Sequence, residues 1–211
     1  MRSRGYTLVA GCDEAGRGSL IGPLFAAAVI LDPMNPIDGL DDSKKLTAET
    51  RSRLDLEIRS KALAFQIVAI SARQIEANNV YQASRQAMLQ ALRALHPAPD
   101  FVLTDAMPLH VPGGRRFPIP HTPLVHGDAR SVSIAAASIL AKVARDALMV
   151  DMGIRYPQYN LASNKGYATP DHLESIRVHG PCPEHRRTFS PVRDLDLPLF
   201  GPTRVKRSAD L

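Results

Sequence analysis

Residues 6–31, YTLVAGCDEAGRGSLIGPLFAAAVIL, hold two short apolar runs, 6–12 and 24–31, on either side of a glycine-rich connection. Each run has the length and composition of a buried strand, so the segment reads as an antiparallel hairpin. After the loop 32–45, Thr47 can cap a helix on which Leu54, Ile58 and Ala62 recur every four residues, and a third strand follows over 65–70. Residues 72–95 carry Ile75, Val80, Met88, Leu92 and Leu95 among polar neighbours. Asn78-Asn79 divides that stretch into two helices, and His96-Pro97 ends it. Two more short strands, 101–104 and 123–125, run toward Asp105 and Asp128, with a Pro- and Gly-rich loop, 108–120, between them. A long helix is expected over 132–152, where Ile134, Ala137, Ala141, Ala144 and Leu148 share a face. A final helix begins at Thr169-Pro170-Asp171 and stops at Gly180. Strands that open as a hairpin and then alternate with helices predict an α/β fold, a mixed sheet covered by helices.

The chain has 211 residues, 45% apolar and 22% charged, which fits one globular domain with a core over about 6–195 and a loosely held tail over 196–211. No apolar run approaches the roughly 18 residues of a membrane span, and no secretory apolar region follows Met1, so a cytoplasmic protein is the expectation. Cys12 and Cys182 stand far apart without metal or disulfide spacing, and read as packing residues. A net charge of +5 suits an anionic partner such as a nucleic acid, although charge alone does not specify one.

The chemistry concentrates at Gly11-Cys12-Asp13-Glu14-Ala15-Gly16-Arg17-Gly18. Two adjacent carboxylates at the end of an apolar strand are costly unless solvated, paired or bound to a cation. Taken alone, the segment is equally a metal site and an exposed hairpin turn. Asp105 and Asp128 each sit just beyond an apolar run, where sites in α/β sheets form, although each can also close a turn or cap a helix. Four acids can therefore converge. Oxygen ligands without a His or Cys cluster favour Mg²⁺ or Mn²⁺ over zinc, and two such ions ~4 Å apart can clamp the attacking and leaving oxygens of a phosphodiester. No Ser/His/Asp order, nucleophile elbow or phosphate-binding P-loop competes with this reading.

The blocks CDEAGRG, GLDDSKKL, GDARSVSIAAASILAKVARD and SNKGYATPDHLESIRVHGPCPEHR, in this order over residues 6–195, resemble bacterial ribonuclease HII. The resemblance implies a ribonuclease H-like fold, a mixed five-stranded sheet flanked by helices with a small helical C-terminal portion. It implies that Asp13, Glu14, Asp105 and Asp128 are catalytic and hold two Mg²⁺ or Mn²⁺ ions, with Asp13 touching both. The expected reaction is cleavage of the RNA strand of RNA–DNA hybrids, and of DNA 5′ of a single embedded ribonucleotide, leaving 3′-hydroxyl and 5′-phosphate ends. Discrimination of ribose must use the 2′-hydroxyl. The resemblance assigns that contact to Gly16, Arg17, Gly18 and Tyr167, the tyrosine also stacking on the next deoxyribose. It directs Lys44, Lys45, Ser138 and Lys142 toward the phosphate backbone. Lys165, His172, His185, Arg186 and Arg187 form a basic C-terminal group that can also reach phosphates.

Three departures from the family's usual pattern stand out. Ser19 replaces the proline that commonly follows the Gly-Arg-Gly turn, which predicts a less rigid loop. His126 stands where a lysine commonly precedes Gly127-Asp128, removing a permanent positive charge. The 108–120 loop, with Arg115-Arg116, is longer than usual. Ribonuclease HIII is disfavoured because the catalytic strand begins almost at once. A junction resolvase or DNA nuclease of the same superfold is disfavoured by the Gly-Arg-Gly turn and Tyr167, and a binding protein without catalysis by the presence of all four acids. A monomer is the family expectation.

Overall fold

In the computed structural model, which describes residues 4–110 and 117–196, the hairpin forms as its apolar runs predict, with one difference. Strand β1 (Val9–Ala15) continues past the apolar run, so Asp13 and Glu14 lie inside it, opposite Ala27 and Ala26 of the antiparallel β2 (Leu24–Leu31). Their backbone is thereby fixed by ladder hydrogen bonds rather than left in a turn. Strand β3 (Ala62–Ile70) pairs antiparallel with β2, β4 (Phe101–Asp105) pairs parallel with β1, and β5 (His121–Leu124) pairs parallel with β4. The order across this mixed five-stranded sheet is β3-β2-β1-β4-β5.

Strand side chains alternate between faces, and β2 is buried on both. Leu24, Ala26, Ala28 and Ile30 enter a core shared with α2 (Ala72–Asn78) and α3 (Val80–Arg93). Ala27 and Val29 face α1 (Ala48–Lys61) and α4 (Val132–Arg155) on the other side. That double burial explains why β2 reads as a continuous apolar run rather than an alternating one. Each fully buried leucine or isoleucine, such as Leu54 and Ile58 of α1, contributes roughly 1.5–3 kcal/mol.

Local signals set the helix ends. Thr47 Oγ1 accepts from the Thr50 amide at the start of α1, Ser71 and Gln74 form a reciprocal capping box on α2, and Asn79 (φ +67°) divides α2 from α3 while capping the latter through Gln82. Along α4 the buried stripe departs from expectation in its second half. Ala141 is followed by Arg145, Met149 and Met152 rather than by Ala144 and Leu148. Met149 and Met152 join Tyr159, Leu161 and Ile176 from the C-terminal helices α5 (Leu161–Asn164) and α6 (Pro170–His179) and their flanks, together with Leu20 and Ile21 from the β1–β2 connection. The C-terminal helical portion is thus fastened to the loop that holds Gly16, Arg17 and Gly18.

Both cysteines are buried and free. No helix of the described residues is long and apolar enough to cross a membrane. The tail expected over 196–211, beyond Asp196, and the Arg115-Arg116 pair lie outside the described residues.

Candidate active site

Three neighbouring parallel strands, β1, β4 and β5, end at the same edge of the sheet and bring their acids together. Oxygen atoms of Asp13, Asp105 and Asp128 all lie within 4.8 Å of one another. Asp13 reaches the cluster because Gly11 precedes it on the same face: a Cβ at Gly11 would sit 2.0 Å from the Ser133 carbonyl carbon, so only glycine lets the first turn of α4 rest directly on β1. Asp105 closes β4 and its Oδ1 accepts from the Gly127 amide at 2.8 Å, tying the β4 end to the loop before α4. Asp128 lies in that loop and does not cap α4, whose N-cap is Ser131.

Glu14, on the opposite face of β1 from Asp13, turns toward Arg17, whose Nη1 stands 3.5 Å from Oε1. Its other oxygen, Oε2, is buried without a hydrogen-bond partner. Burial first, and then the charges of Glu14 and Asp105, hold the Asp13 carboxyl well above the usual range, against hydrogen bonds from Ser138 and the Glu14 amide. Burial likewise raises Glu14, with Arg17 working against it, and raises Asp128 with help from Asp42 and Asp105. Such mutual repulsion is relieved by a cation. Lys44 supplies part of that relief, with Nζ 3.6 Å from Asp128 Oδ2. Burial works to lower the Lys44 ammonium, yet the surrounding acids outweigh it and hold it up. Crowded, buried oxygens, one of them without a partner, are the donor set that a hard divalent cation such as Mg²⁺ or Mn²⁺ requires.

The remaining expected residues divide. Gly16 (φ +89°) takes the left-handed conformation, and a Cβ there would lie 2.0 Å from Arg145 Nε, whereas a Cβ at Gly18 would meet nothing within 4 Å. Tyr167 is half-buried beside the turn, its ring centroid 5.2 Å from the Arg145 guanidinium and 5.8 Å from Lys142 Nζ. Lys142 also pairs with Asp146 at 2.8 Å, and Lys45 turns to Asp41 at 3.5 Å instead of joining the carboxylates.

Several expectations are corrected. Ser138 is buried, shares a 2.8 Å hydrogen bond with Ser43 and also bonds the Asp13 carboxyl. His172, His185 and Arg186 are buried and cannot form a basic surface group, although Arg187 is exposed. Ser19 does not loosen its loop: fully buried, its hydroxyl contacts the Ile21 and Gly166 carbonyls and accepts from Arg145 Nη2 at 2.7 Å. His126 stands exposed at φ +54°. Arg145 is absent from the residues that motif and spacing single out, although its position four residues after Ala141 on an apolar stripe is a visible anomaly.

Comparison with known proteins accords with this geometry. The family model described as Ribonuclease HII matches residues 10–192. The chain is 51% identical over 193 residues to ribonuclease HII of Solibacter usitatus, covering 92% of this chain and 82% of that protein. It is 50% identical to ribonuclease HII of Geobacillus kaustophilus, covering 90% and 71%. The crystal structure of ribonuclease H2 from Pyrococcus horikoshii superposes with a TM-score of 0.76 at 25% identity, covering 90% of this chain and 97% of that one. A mixed sheet with an acidic cluster at its parallel edge, matched by this family over nearly its whole described length, establishes that the chain belongs to the ribonuclease HII family of metal-dependent endoribonucleases.

Proposed function

We propose that this chain, acting as a single catalytic unit, cuts RNA–DNA hybrids within the RNA strand and cuts duplex DNA on the 5′ side of an embedded ribonucleotide, leaving 3′-hydroxyl and 5′-phosphate ends. The observation that carries the proposal is the convergence of Asp13, Asp105 and Asp128 within 4.8 Å beside the Gly16–Gly18 turn. Those three carboxylates would hold divalent cations, and Glu14, outside that trio but close enough for its charge to act on Asp13 and to feel Asp105, would complete the set for two. When bound, such a pair supplies a nucleophile from water and charge stabilisation for the departing oxygen.

The chain's own residues do the rest. Ser138 and the Glu14 amide fix the orientation of Asp13, and Gly127 fixes Asp105, so the acids are placed before substrate arrives. Arg17, Lys44, Lys45 and Lys142 give the cleft a positive rim for the phosphate backbone. The open space at Gly18 supports a close approach by the ribose, because the fold itself makes no demand for glycine there. Tyr167, half-buried with Lys142 and Arg145 beside its ring, would stack on the neighbouring sugar.

The direct test offers a labelled DNA duplex containing one ribonucleotide, beside an all-DNA control, with Mg²⁺, Mn²⁺ or a chelator. The expected result is nicking at the ribonucleotide only when metal is present. Equal nicking of the control, or none with either metal, refutes the proposal.

A further inference from the structure

Beneath the Gly16–Gly18 turn and Tyr167 lie two arginines that the carboxylate site does not use. Arg145 and Arg186 are both 0% exposed. Among the described residues neither forms an ion pair: Asp146, the acid beside Arg145, is taken by Lys142. Arg145 Nε and Nη1 and Arg186 Nη2 also have no hydrogen-bond partner. Burying cations without an acid costs several kcal/mol each, and apolar side chains of similar volume serve packing as well or better. A fold keeps such a cost where another requirement outweighs it.

Apart from the Phe189 ring, 5.2 Å from the Arg186 guanidinium, the hydrogen bonds these arginines make all go to one small region. Arg186 Nε donates to the Gly22 carbonyl and Nη1 to the Arg17 carbonyl, both at 3.0 Å, bracketing the connection that carries the turn. Arg145 Nη2 donates to Ser19 Oγ, its Nε lies in the space a Gly16 Cβ would fill, and its guanidinium backs the Tyr167 ring. Ser19 Oγ and the Leu20 amide both bond the Gly166 carbonyl, at 3.0 and 2.8 Å, one residue before Tyr167. The turn and the tyrosine, far apart in sequence, therefore meet through one buried layer whose rigid members are guanidinium forks.

We propose that Arg145 and Arg186 are positioning residues, a buried two-cation mount that fixes the Gly16–Gly18 turn against Tyr167 and thereby sets the enzyme's selectivity for ribose. This rests on the reading of that turn and that tyrosine as the ribose-recognition pair. A lysine at either position keeps the charge but offers a point donor in place of a planar fork, so it cannot hold two groups in fixed register.

The test compares the wild-type chain with Arg145→Lys, Arg186→Lys and Ser19→Ala in Mg²⁺-dependent nicking of duplexes that carry ribose, 2′-fluororibose or deoxyribose at one position. With the lysine variants, KM for the duplex should stay within about threefold while kcat on the ribose duplex, and its ratio to the 2′-fluoro duplex, each fall at least about tenfold. Ser19→Ala should move the same ratio in the same direction by about threefold. Melting curves identify any variant that fails to fold, and Ser19→Ala then decides. Folded variants with wild-type selectivity, or with equal losses on ribose and 2′-fluoro duplexes, overturn the mount. Wild-type protein that does not distinguish the three duplexes overturns the recognition reading on which the mount rests.

Discussion

Replacing Gly18 with alanine separates what the fold needs from what the substrate needs, and Gly16, two residues earlier, is the control. At Gly16 an alanine would have to adopt φ +89°, at a cost of about 1–2 kcal/mol. Its Cβ would also lie 2.0 Å from Arg145 Nε and 2.4 Å from Cδ, and displacing that buried side chain adds about 1–3 kcal/mol. A chain of this size loses about 2–4 °C in Tm per kcal/mol, so Gly16→Ala should melt about 4–20 °C lower. At Gly18 the added Cβ meets nothing within 4 Å and the backbone is outside the left-handed region, so Tm should stay within about 2 °C. Activity should behave oppositely to stability at this second position. A methyl group on the surface where ribose approaches displaces the sugar by ~1 Å, and such a misplacement costs on the order of 100-fold in rate. Thermal melting and steady-state nicking of a single-ribonucleotide duplex measure the two effects separately. A Gly18→Ala chain that folds and nicks at the wild-type rate refutes the approach of ribose to this turn, and a Gly16→Ala chain with wild-type Tm refutes the steric argument.

Other perturbations follow from the same geometry. Asp13→Asn should cut activity by more than the ~100-fold typical of losing an outer-shell partner, while raising Tm by a few degrees because a buried, repelled carboxylate is removed; residual activity near wild type contradicts the metal assignment. Tyr167→Ala should reduce cleavage at a ribonucleotide junction more than duplex affinity, by about 5–100-fold for a stacking contact, and the reverse pattern in binding and nicking assays makes the tyrosine structural. Lys45→Ala should lower the slope of log K against log salt by about one for binding to a DNA duplex, which a titration between low and moderate salt detects.

The pair His172–His185 gives the pH prediction. The Cys182 amide donates to His185 Nδ1, which leaves His185 Nε2–H to donate to His172 Nε2 at 3.3 Å, while His172 Nδ1–H donates to the Tyr167 carbonyl. The Cys182 link needs His185 Nδ1 unprotonated and the inter-ring link needs His172 Nε2 unprotonated, so the relay as a whole holds only with both rings neutral. Burial, with the charge of His172, pushes His185 down to about 4. Because the folded value is below the unfolded one, the unfolded chain takes up the proton first, so stability present above about pH 6.5 is lost as pH falls toward 4. The raised carboxyls of Asp13 and Glu14 act with the opposite sign, so the measurement is the difference in melting between wild type and His185→Asn across that window, expected at about 1–2 kcal/mol after screening. Identical pH profiles rule out the neutral relay.

Features that depend on near neighbours are legible in the order of residues alone. The Thr47 cap and the break at Asn78-Asn79 use side chains within a turn of the backbone they satisfy, and the stop at Gly180 uses a residue free to take φ +73°. The doubly buried β2 announces itself by its unbroken apolar run. The acids can be named as candidates because their residue type limits their chemistry. What misleads is charge read as exposure: His172, His185 and Arg186 look like a surface cluster, and only packing shows them inside.

The sequence alone carries the order of elements, the α/β class and the choice of four candidate acids, since periodicity, capping and residue chemistry act over a few positions. The tertiary structure alone decided that Asp13, Asp105 and Asp128 come within 4.8 Å, that Glu14 turns to Arg17 on the other face of β1, and that Ser19 and two buried arginines join residue 16 to residue 167. Those contacts exist because β4 enters the sheet beside β1 and α4 lies against Gly11. Strand neighbours of high sequence separation are chosen by the burial of the whole core, a collective quantity that no local stretch of residues encodes.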